Sequence, residues 1–136
     1  MNGLDTNVLV RYLTQDDPNQ SVQANQLIEQ TLMEGNHFFI SIIVLCELVW
    51  VLMRAYHYSK SEVIFVLEKI LLARQFEIED KNTVRQALND FKKSHADFAD
   101  CLIGLKNSEF GCKTTLSFDK GTQSLETFTF LAKKPN

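Results

Sequence analysis

Short apolar segments alternate with longer stretches of helical periodicity along the whole chain. Strand-like segments are predicted at 1–4, 37–40, 76–78, 114–118 and 128–131. Apolar residues recur at helical spacing in the stretches 8–13, 19–34, 42–56, 59–73, 80–93 and 97–111. Strands that alternate with helices favour a parallel sheet with helices on both faces. We therefore predict an α/β fold of three layers, α/β/α, with a central and mainly parallel sheet.

The predicted helices begin at residues that commonly act as caps. The expected capping residues, in chain order, are Thr6 and Asn7, Ser41, Ser59 and Ser61, Asp80 or Asn82, and Asp97.

The chain has 136 residues, five Gly and two Pro, so no linker divides it. We expect a single domain over residues 1–136.

Composition excludes several functional classes. The net charge of −3 argues against a surface that coats nucleic acid through general basicity. The most hydrophobic stretch, 40–53, is shorter than the ~20 apolar residues that span a bilayer, and Asp5 stands where a signal peptide would begin its apolar segment. Cys46, Cys101 and Cys112 have no C-x-x-C spacing and are expected to be reduced and mostly buried. These features predict a cytoplasmic protein.

Acidic residues stand on otherwise apolar segments at four widely separated places. They are Asp5, Glu47, Asp100 (with Asp97 three residues before it) and Asp119. A carboxylate is unfavourable against a hydrophobic core unless another group offsets its charge. The pattern therefore predicts that these side chains gather around a cation.

Asp5 and Asp119 each follow a predicted strand. In an open parallel sheet the ligand crevice lies beyond the carboxyl ends of the strands, so both side chains are expected to point into it. The alternative is an ordinary helix-capping or turn aspartate, which is common at strand-to-helix junctions.

Glu47 is the only formally charged residue from Gly35 to Met53. Because the helix that carries it is so apolar, we expect most of its faces to be covered by protein. A buried, unpaired carboxylate would have a strongly raised pKa or would destabilise the fold. Glu47 is therefore predicted to bind a metal, and the alternative is a salt bridge to a distant Arg or Lys.

Asp97 and Asp100 are three residues apart and so share one face of a helix. Gly104, one turn after Asp100, is expected to leave room beside that carboxylate. Asp100 is the stronger metal candidate, because Asp97 also fits an N-cap with Asp100 at its third position, an arrangement that needs no metal.

Converging carboxylates repel one another, and a hard divalent cation removes that repulsion. Oxygen ligands favour Mg²⁺ or Mn²⁺ over Zn²⁺, since His37, His57 and His95 have no ligand spacing. Such an ion binds phosphate oxygens and activates water, which predicts phosphodiester hydrolysis. Three neighbouring polar residues could orient ligands or water, although ordinary capping and turn bonding would also explain them: Thr6, Asn7 and Ser117.

Four motifs in series resemble one family, the PIN-domain ribonucleases, and within it the VapC toxins of bacterial toxin–antitoxin modules. The motifs are L-D-T-N-V-L-V at 4–10, the helix around Glu47, D-F-A-D-C-L-I-G at 97–104 and T-L-S-F-D-K at 115–120. A lone D-T-N is a weak signal, but the four together, in order and at these spacings, are specific and cover essentially the whole chain.

The resemblance implies a PIN-like α/β/α domain and a Mg²⁺- or Mn²⁺-dependent endoribonuclease. Its acidic quartet falls on Asp5, Glu47, Asp100 and Asp119, and Asp97 matches a frequent extra aspartate. Ser117 and Asn7 match supporting positions of the last and first motifs. The resemblance also implies a homodimer and a VapB-type antitoxin whose tail would lie along the helix pair at about 42–73. One departure is the very short segment before Asp5, which leaves the first strand only a few residues.

Two other interpretations stay open from the residues. A phosphotransferase of the haloacid-dehalogenase type would use Asp5 as nucleophile, but that chemistry wants a second acid two residues on, where this chain has Asn7. A non-catalytic RNA- or protein-binding module could use the same carboxylates to hold a structural ion.

Overall fold

The computed structural model describes residues 1–132. These residues form parallel strands and connecting helices, which confirms the predicted α/β class. The elements are β1 (Asn2–Gly3), α1 (Thr6–Thr14), α2 (Pro18–Met33), β2 (Phe38–Ile40), α3 (Ile42–Arg54), α4 (Lys60–Leu72), β3 (Phe76–Ile78), α5 (Lys81–Lys93), α6 (Phe98–Glu109), β4 (Thr115–Ser117), a 3-10 helix (Lys120–Ser124) and β5 (Phe128–Phe130). The chain divides into two compact units, Met1–Lys81 and the residues from Asn82 onward.

The first unit contains a parallel sheet in the order β1–β2–β3. Asn2 pairs with Phe38, and Phe38 pairs with Phe76, so β2 is the central strand. At the carboxyl edge of this sheet, the carboxylate of Glu79 accepts a hydrogen bond of 2.9 Å from the backbone N–H of Ile42, the first residue of α3. The end of β3 therefore helps to fix the start of α3.

Buried aliphatic side chains from the helices form the hydrophobic core of the first unit. Fully buried members include Leu9, Ile28, Leu45, Leu48, Leu52, Val63 and Leu67. Ser41 caps α3, as predicted, and Ser59 caps α4 through a reciprocal pair of bonds with Glu62. These caps satisfy backbone N–H groups that have no partner inside the helix.

Two expectations about these helices are wrong. Asp5, rather than Thr6 or Asn7, is the N-cap of α1, which therefore begins at Thr6 and not at residue 8. The expectation that protein covers α3 fails for one face, because Ile43 is 72% exposed and Trp50 is 62% exposed, whereas the opposite face is buried. An apolar composition predicts a helix but does not determine which of its faces a neighbour covers.

The second unit contains a parallel pair, β4 and β5, in which Thr115 pairs with Phe128. The rings of Phe91 in α5 and Phe98 in α6 meet edge to face with centroids 5.9 Å apart. Cys101, like Phe98, is buried on α6, whereas Cys112 is exposed, which contradicts the expectation of burial for that thiol.

Gly104 has a different role from the one expected. A side chain at this position would overlap Thr127 and would lie 2.7 Å from Cε2 of Phe128. The missing side chain therefore lets α6 pack against the residues that lead into β5, instead of making room beside the carboxylate of Asp100. Among residues 1–132, no helix combines the length and the hydropathy needed to cross a bilayer.

Replacing Gly104 by alanine is expected to lower the free energy of unfolding by about 1–3 kcal/mol, because the added methyl group overpacks this contact. Urea denaturation would measure the loss. Gly3→Ala is the matched control, since the nearest atom to its new methyl would be the Phe39 carbonyl oxygen at 3.9 Å. Equal stability of the two variants would contradict this account of the packing.

Candidate metal centre

Three aspartates of the second unit come together in space. One carboxylate oxygen from each of Asp97, Asp100 and Asp119 lies within 4.8 Å of the other two. Asp97 is the N-cap residue of α6, Asp100 lies in the first turn of that helix, and Asp119 follows β4. The folding of α6 and β4 thus brings together carboxylates that the sequence separates by about twenty residues.

The side chain of Asp97 makes no capping hydrogen bond, although its backbone is in the N-cap position. The alternative in which Asp97 serves as a conventional side-chain cap is therefore wrong. Its carboxylate instead belongs to the group with Asp100 and Asp119.

Asp119 is held by a tight network of local hydrogen bonds. Its Oδ1 accepts from the backbone N–H of Gly121 at 2.8 Å, and its own N–H donates to Oγ of Ser117 at 3.0 Å. The hydroxyl of Thr122 donates to its carbonyl oxygen at 2.6 Å. Ser117 therefore supports the turn that presents Asp119, which is the ordinary turn bonding given above as the alternative explanation for this residue.

Gly121 also shapes the turn that carries Asp119, and the sequence alone did not single it out. A side chain here would place its Cβ 2.9 Å from the carbonyl oxygen of His95 and 3.2 Å from Oδ1 of Asp119. Only a glycine lets the turn pass this close to the segment before α6. A glycine two residues after the aspartate was the available signal, but nothing in the sequence indicates that His95 packs against it.

Burial and like charge disfavour the ionised form of Asp100. Its partly buried position raises its pKa, and the charges of Asp119 and Asp97 and a hydrogen bond with Asp119 raise it further. A cation at this point would stabilise the ionised form and reverse the effect. The donors of the group are carboxylate oxygens, without His or Cys, so they fit a hard divalent ion such as Mg²⁺ or Mn²⁺.

The first unit holds two more of the predicted residues close to each other. Oδ1 of Asp5 accepts from the backbone N–H of Thr6 at 2.7 Å. The hydroxyl of Thr6 donates to Oε1 of Glu47 at 3.2 Å. Thr6 is only 7% exposed, so it connects the start of α1 to the middle of α3 from a buried position.

The expectation that Glu47 is buried by surrounding protein is wrong, because its side chain is exposed. Water can solvate this carboxylate, so desolvation does not by itself require a metal. Among residues 1–132 the structure records no salt bridge of Glu47 to an Arg or Lys, and its partner there is the hydroxyl of Thr6. Asn7, also predicted as a supporting residue, is exposed on the first turn of α1.

Comparison with known proteins identifies the family of this chain. The family model described as PIN domain matches residues 4–125. A VapC ribonuclease of Aquifex aeolicus (strain VF5) is 30% identical over 123 residues, which cover 90% of this chain and 90% of that protein. No solved structure gives a significant match. A family match over this much of the chain, together with a relative similar along nearly its whole length, shows that the chain belongs to the PIN-domain family and is of the VapC type.

Proposed function

We propose that this chain is a Mg²⁺- or Mn²⁺-dependent endoribonuclease and the toxin of a type II toxin–antitoxin pair. The observation that carries the proposal is the grouping of three aspartates with oxygens within 4.8 Å of one another. Membership of the PIN-domain family and similarity to a VapC ribonuclease support the choice of RNA as substrate. The whole chain, 1–136, would act as one PIN domain.

In this proposal Asp5, Glu47, Asp100 and Asp119 hold the divalent ion, with Asp97 as a further ligand. When bound, the ion would lower the pKa of a water molecule and offset negative charge at the phosphodiester. Asp119 keeps its orientation because Ser117, Gly121 and Thr122 fix its turn. This is the preorganisation that a catalytic group requires.

Thr6 has a positioning role in the proposed mechanism. Its backbone N–H binds the Asp5 carboxylate and its hydroxyl binds the Glu47 carboxylate, so one residue orients two proposed ligands. Hydrogen bonds of this kind fix the rotamers of metal-binding side chains and thereby influence metal affinity. Asn7, on the same turn of α1, would contact substrate or ordered water.

The proposed partners are a cognate VapB-type antitoxin and a second copy of the chain. Exposed apolar side chains on α3 and α4 support a protein-binding surface there: Ile43, Trp50, Phe65 and Leu72. The antitoxin tail would lie along this helix pair, and a homodimer would cover part of the remaining apolar area. Since cellular RNA is the proposed substrate, we place the activity in the cytoplasm.

Asp5→Asn and Asp100→Asn are each expected to reduce metal-dependent RNA cleavage by about a hundredfold or more, because the loss of a charged ligand removes several kcal/mol of transition-state stabilisation. Cleavage of labelled RNA in Mg²⁺ and in Mn²⁺ would measure the effect. Asp90→Asn is the matched control, since Asp90 is another partly buried acid on a helix but lies outside the group of three.

Cleavage at the wild-type rate by either variant would show that the residue concerned is not a ligand. If the unmodified chain binds Mg²⁺ but cleaves no RNA, the non-catalytic binding module would replace the nuclease.

Thr6→Val is expected to raise the Mg²⁺ concentration for half-maximal cleavage by about 10- to 100-fold, because Glu47 loses the hydroxyl that orients it. Thr6→Ser keeps the donor and should stay close to wild type. Titration of activity with Mg²⁺ separates the two. Equal metal dependence of the valine and serine variants would show that the hydroxyl has no positioning role.

In the absence of metal, Asp100→Asn should melt at a higher temperature than wild type at pH 7. The pKa of Asp100 is raised on folding, so its ionisation disfavours the folded state above the unfolded pKa of about 3.9. The destabilisation grows as the pH rises towards the folded pKa and is then constant. The advantage of the variant should therefore shrink as the pH falls towards about 4.

Asp90→Asn serves again as control, because burial and the charge of Glu126 also raise the pKa of Asp90. Both variants should gain stability without metal. Mg²⁺ or Mn²⁺ should then raise the melting temperature of wild type and of Asp90→Asn, but much less that of Asp100→Asn. Equal stabilisation of all three proteins by the ion would locate metal binding elsewhere.

A further inference from the structure

An open groove lies between α1 and α2 in the first unit. Its volume is about 450 Å³, within the range of about 300–1,000 Å³ that is usual for small-molecule sites. It is lined from α1 by Asn7, Val8 and Arg11 and from α2 by side chains that include Gln20 and Gln23. Nothing in the proposed mechanism uses this groove beyond the residue at its end, Asn7.

The side chains that line the groove are neutral or positively charged. It offers three amide side chains, one guanidinium and an aliphatic floor formed by Val8, Ala24 and Leu27, and it includes no carboxylate. Four other cavities in residues 1–132 each include an Asp or Glu side chain. In a chain with a net charge of −3, a groove whose lining has no acidic side chain repels a polyanion less than the others do, although Asp16 pairs with Arg11 beside it.

Arg11 is held in place before any ligand arrives. Its Nε donates to Oε1 of Gln20 at 2.7 Å, and its Nη1 lies 3.3 Å from Oδ1 of Asp16 and 3.0 Å from the hydroxyl of Tyr56. Asp16 partly offsets its charge, so Arg11 is better placed to present a fixed planar face than to act as a strong phosphate anchor. A planar guanidinium and neighbouring amides are groups that bind unpaired bases.

The position of the groove connects it to the proposed reaction. Asn7 lies two residues after Asp5, on the first turn of the same helix. A ligand bound along α1 from Asn7 to Arg11 would therefore extend away from the proposed metal ligand Asp5. A nucleotide adjoining the scissile phosphate is the part of an RNA strand that would occupy this place.

We propose that the groove between α1 and α2 binds an unpaired base of the RNA strand next to the cleavage site, with Gln23 and Asn7 contacting its edge. This inference rests on the proposed ribonuclease function and adds a determinant of sequence preference to it. The base would lie on the aliphatic floor and against the guanidinium of Arg11. Single-stranded RNA is the expected substrate, because a paired base cannot enter a groove of this kind.

Gln23→Leu tests the proposal, because it removes the amide while keeping a similar volume. Binding would be measured by fluorescence anisotropy with the full chain carrying Asp100→Asn, so that labelled RNA is not cut. The probes are single-stranded RNA octamers that differ only in one central base. The variant should bind the preferred octamer about fivefold or more weakly, as expected for the loss of a hydrogen bond to a base edge, and should discriminate less between bases.

Gln26→Leu is the matched control, since Gln26 is exposed on α2 but does not line the groove. It should leave affinity and base preference unchanged. A second measurement uses octamers with 4-thiouridine at the central position. Photo-cross-links should map to the groove-lining residues of α1 and α2.

The outcomes separate this proposal from the proposed function. If the unmodified chain cleaves RNA but cross-links fall elsewhere, or if Gln23→Leu and Gln26→Leu bind alike, the groove is not a base site and the nuclease assignment stands. Cross-links in the groove without cleavage by the unmodified chain would support the base site and overturn the nuclease. Absence of any RNA binding would overturn the base site.

Discussion

Three carboxylates of the second unit lie close enough to repel one another, and the fold holds them at this distance. Two charges 4 Å apart at an effective dielectric near 20 repel by about 4 kcal/mol, and Asp97, Asp100 and Asp119 lie at comparable separations. The backbone opposes this repulsion: the start of α6 fixes two of the carboxylates, and the turn closed by Gly121 fixes the third. Burial and the neighbouring charges of Asp119 and Asp97 raise the pKa of Asp100, and shifts of this kind cluster at functional sites.

Local sequence patterns predicted much of this architecture. The strand at 76–78 and the caps at Ser41 and Ser59 follow from alternation and from hydroxyl side chains at helix starts, which are properties of neighbouring residues. The pairing of Asp97 with Asp100 follows equally from helical spacing. Packing between residues that are distant in the sequence could not be predicted from such local patterns. The exposure of Glu47 depends on which face of α3 a neighbour covers, and apolar composition contains no such information.

The hydrogen bond between Thr6 and Glu47 is another long-range contact that local sequence patterns do not predict. Its two residues are 41 positions apart, and each has an ordinary local explanation as a cap or a surface charge. Only the folded chain reveals that buried Thr6 binds Asp5 through its backbone N–H and Glu47 through its hydroxyl. The hydrogen bonds describe how the orientation of these two side chains is maintained.

Asp5 has a structural role and a proposed metal-binding role, and a substitution can remove the second without the first. Its carboxylate begins α1 by accepting a backbone N–H, and the same group is a proposed ligand. Asn, Ser and Thr can also begin a helix, but none of them carries a negative charge. A variant with one of those residues at position 5 would keep the start of α1 and lose the proposed metal ligand. Such a variant should therefore stay folded, because capping a helix does not require a negative charge.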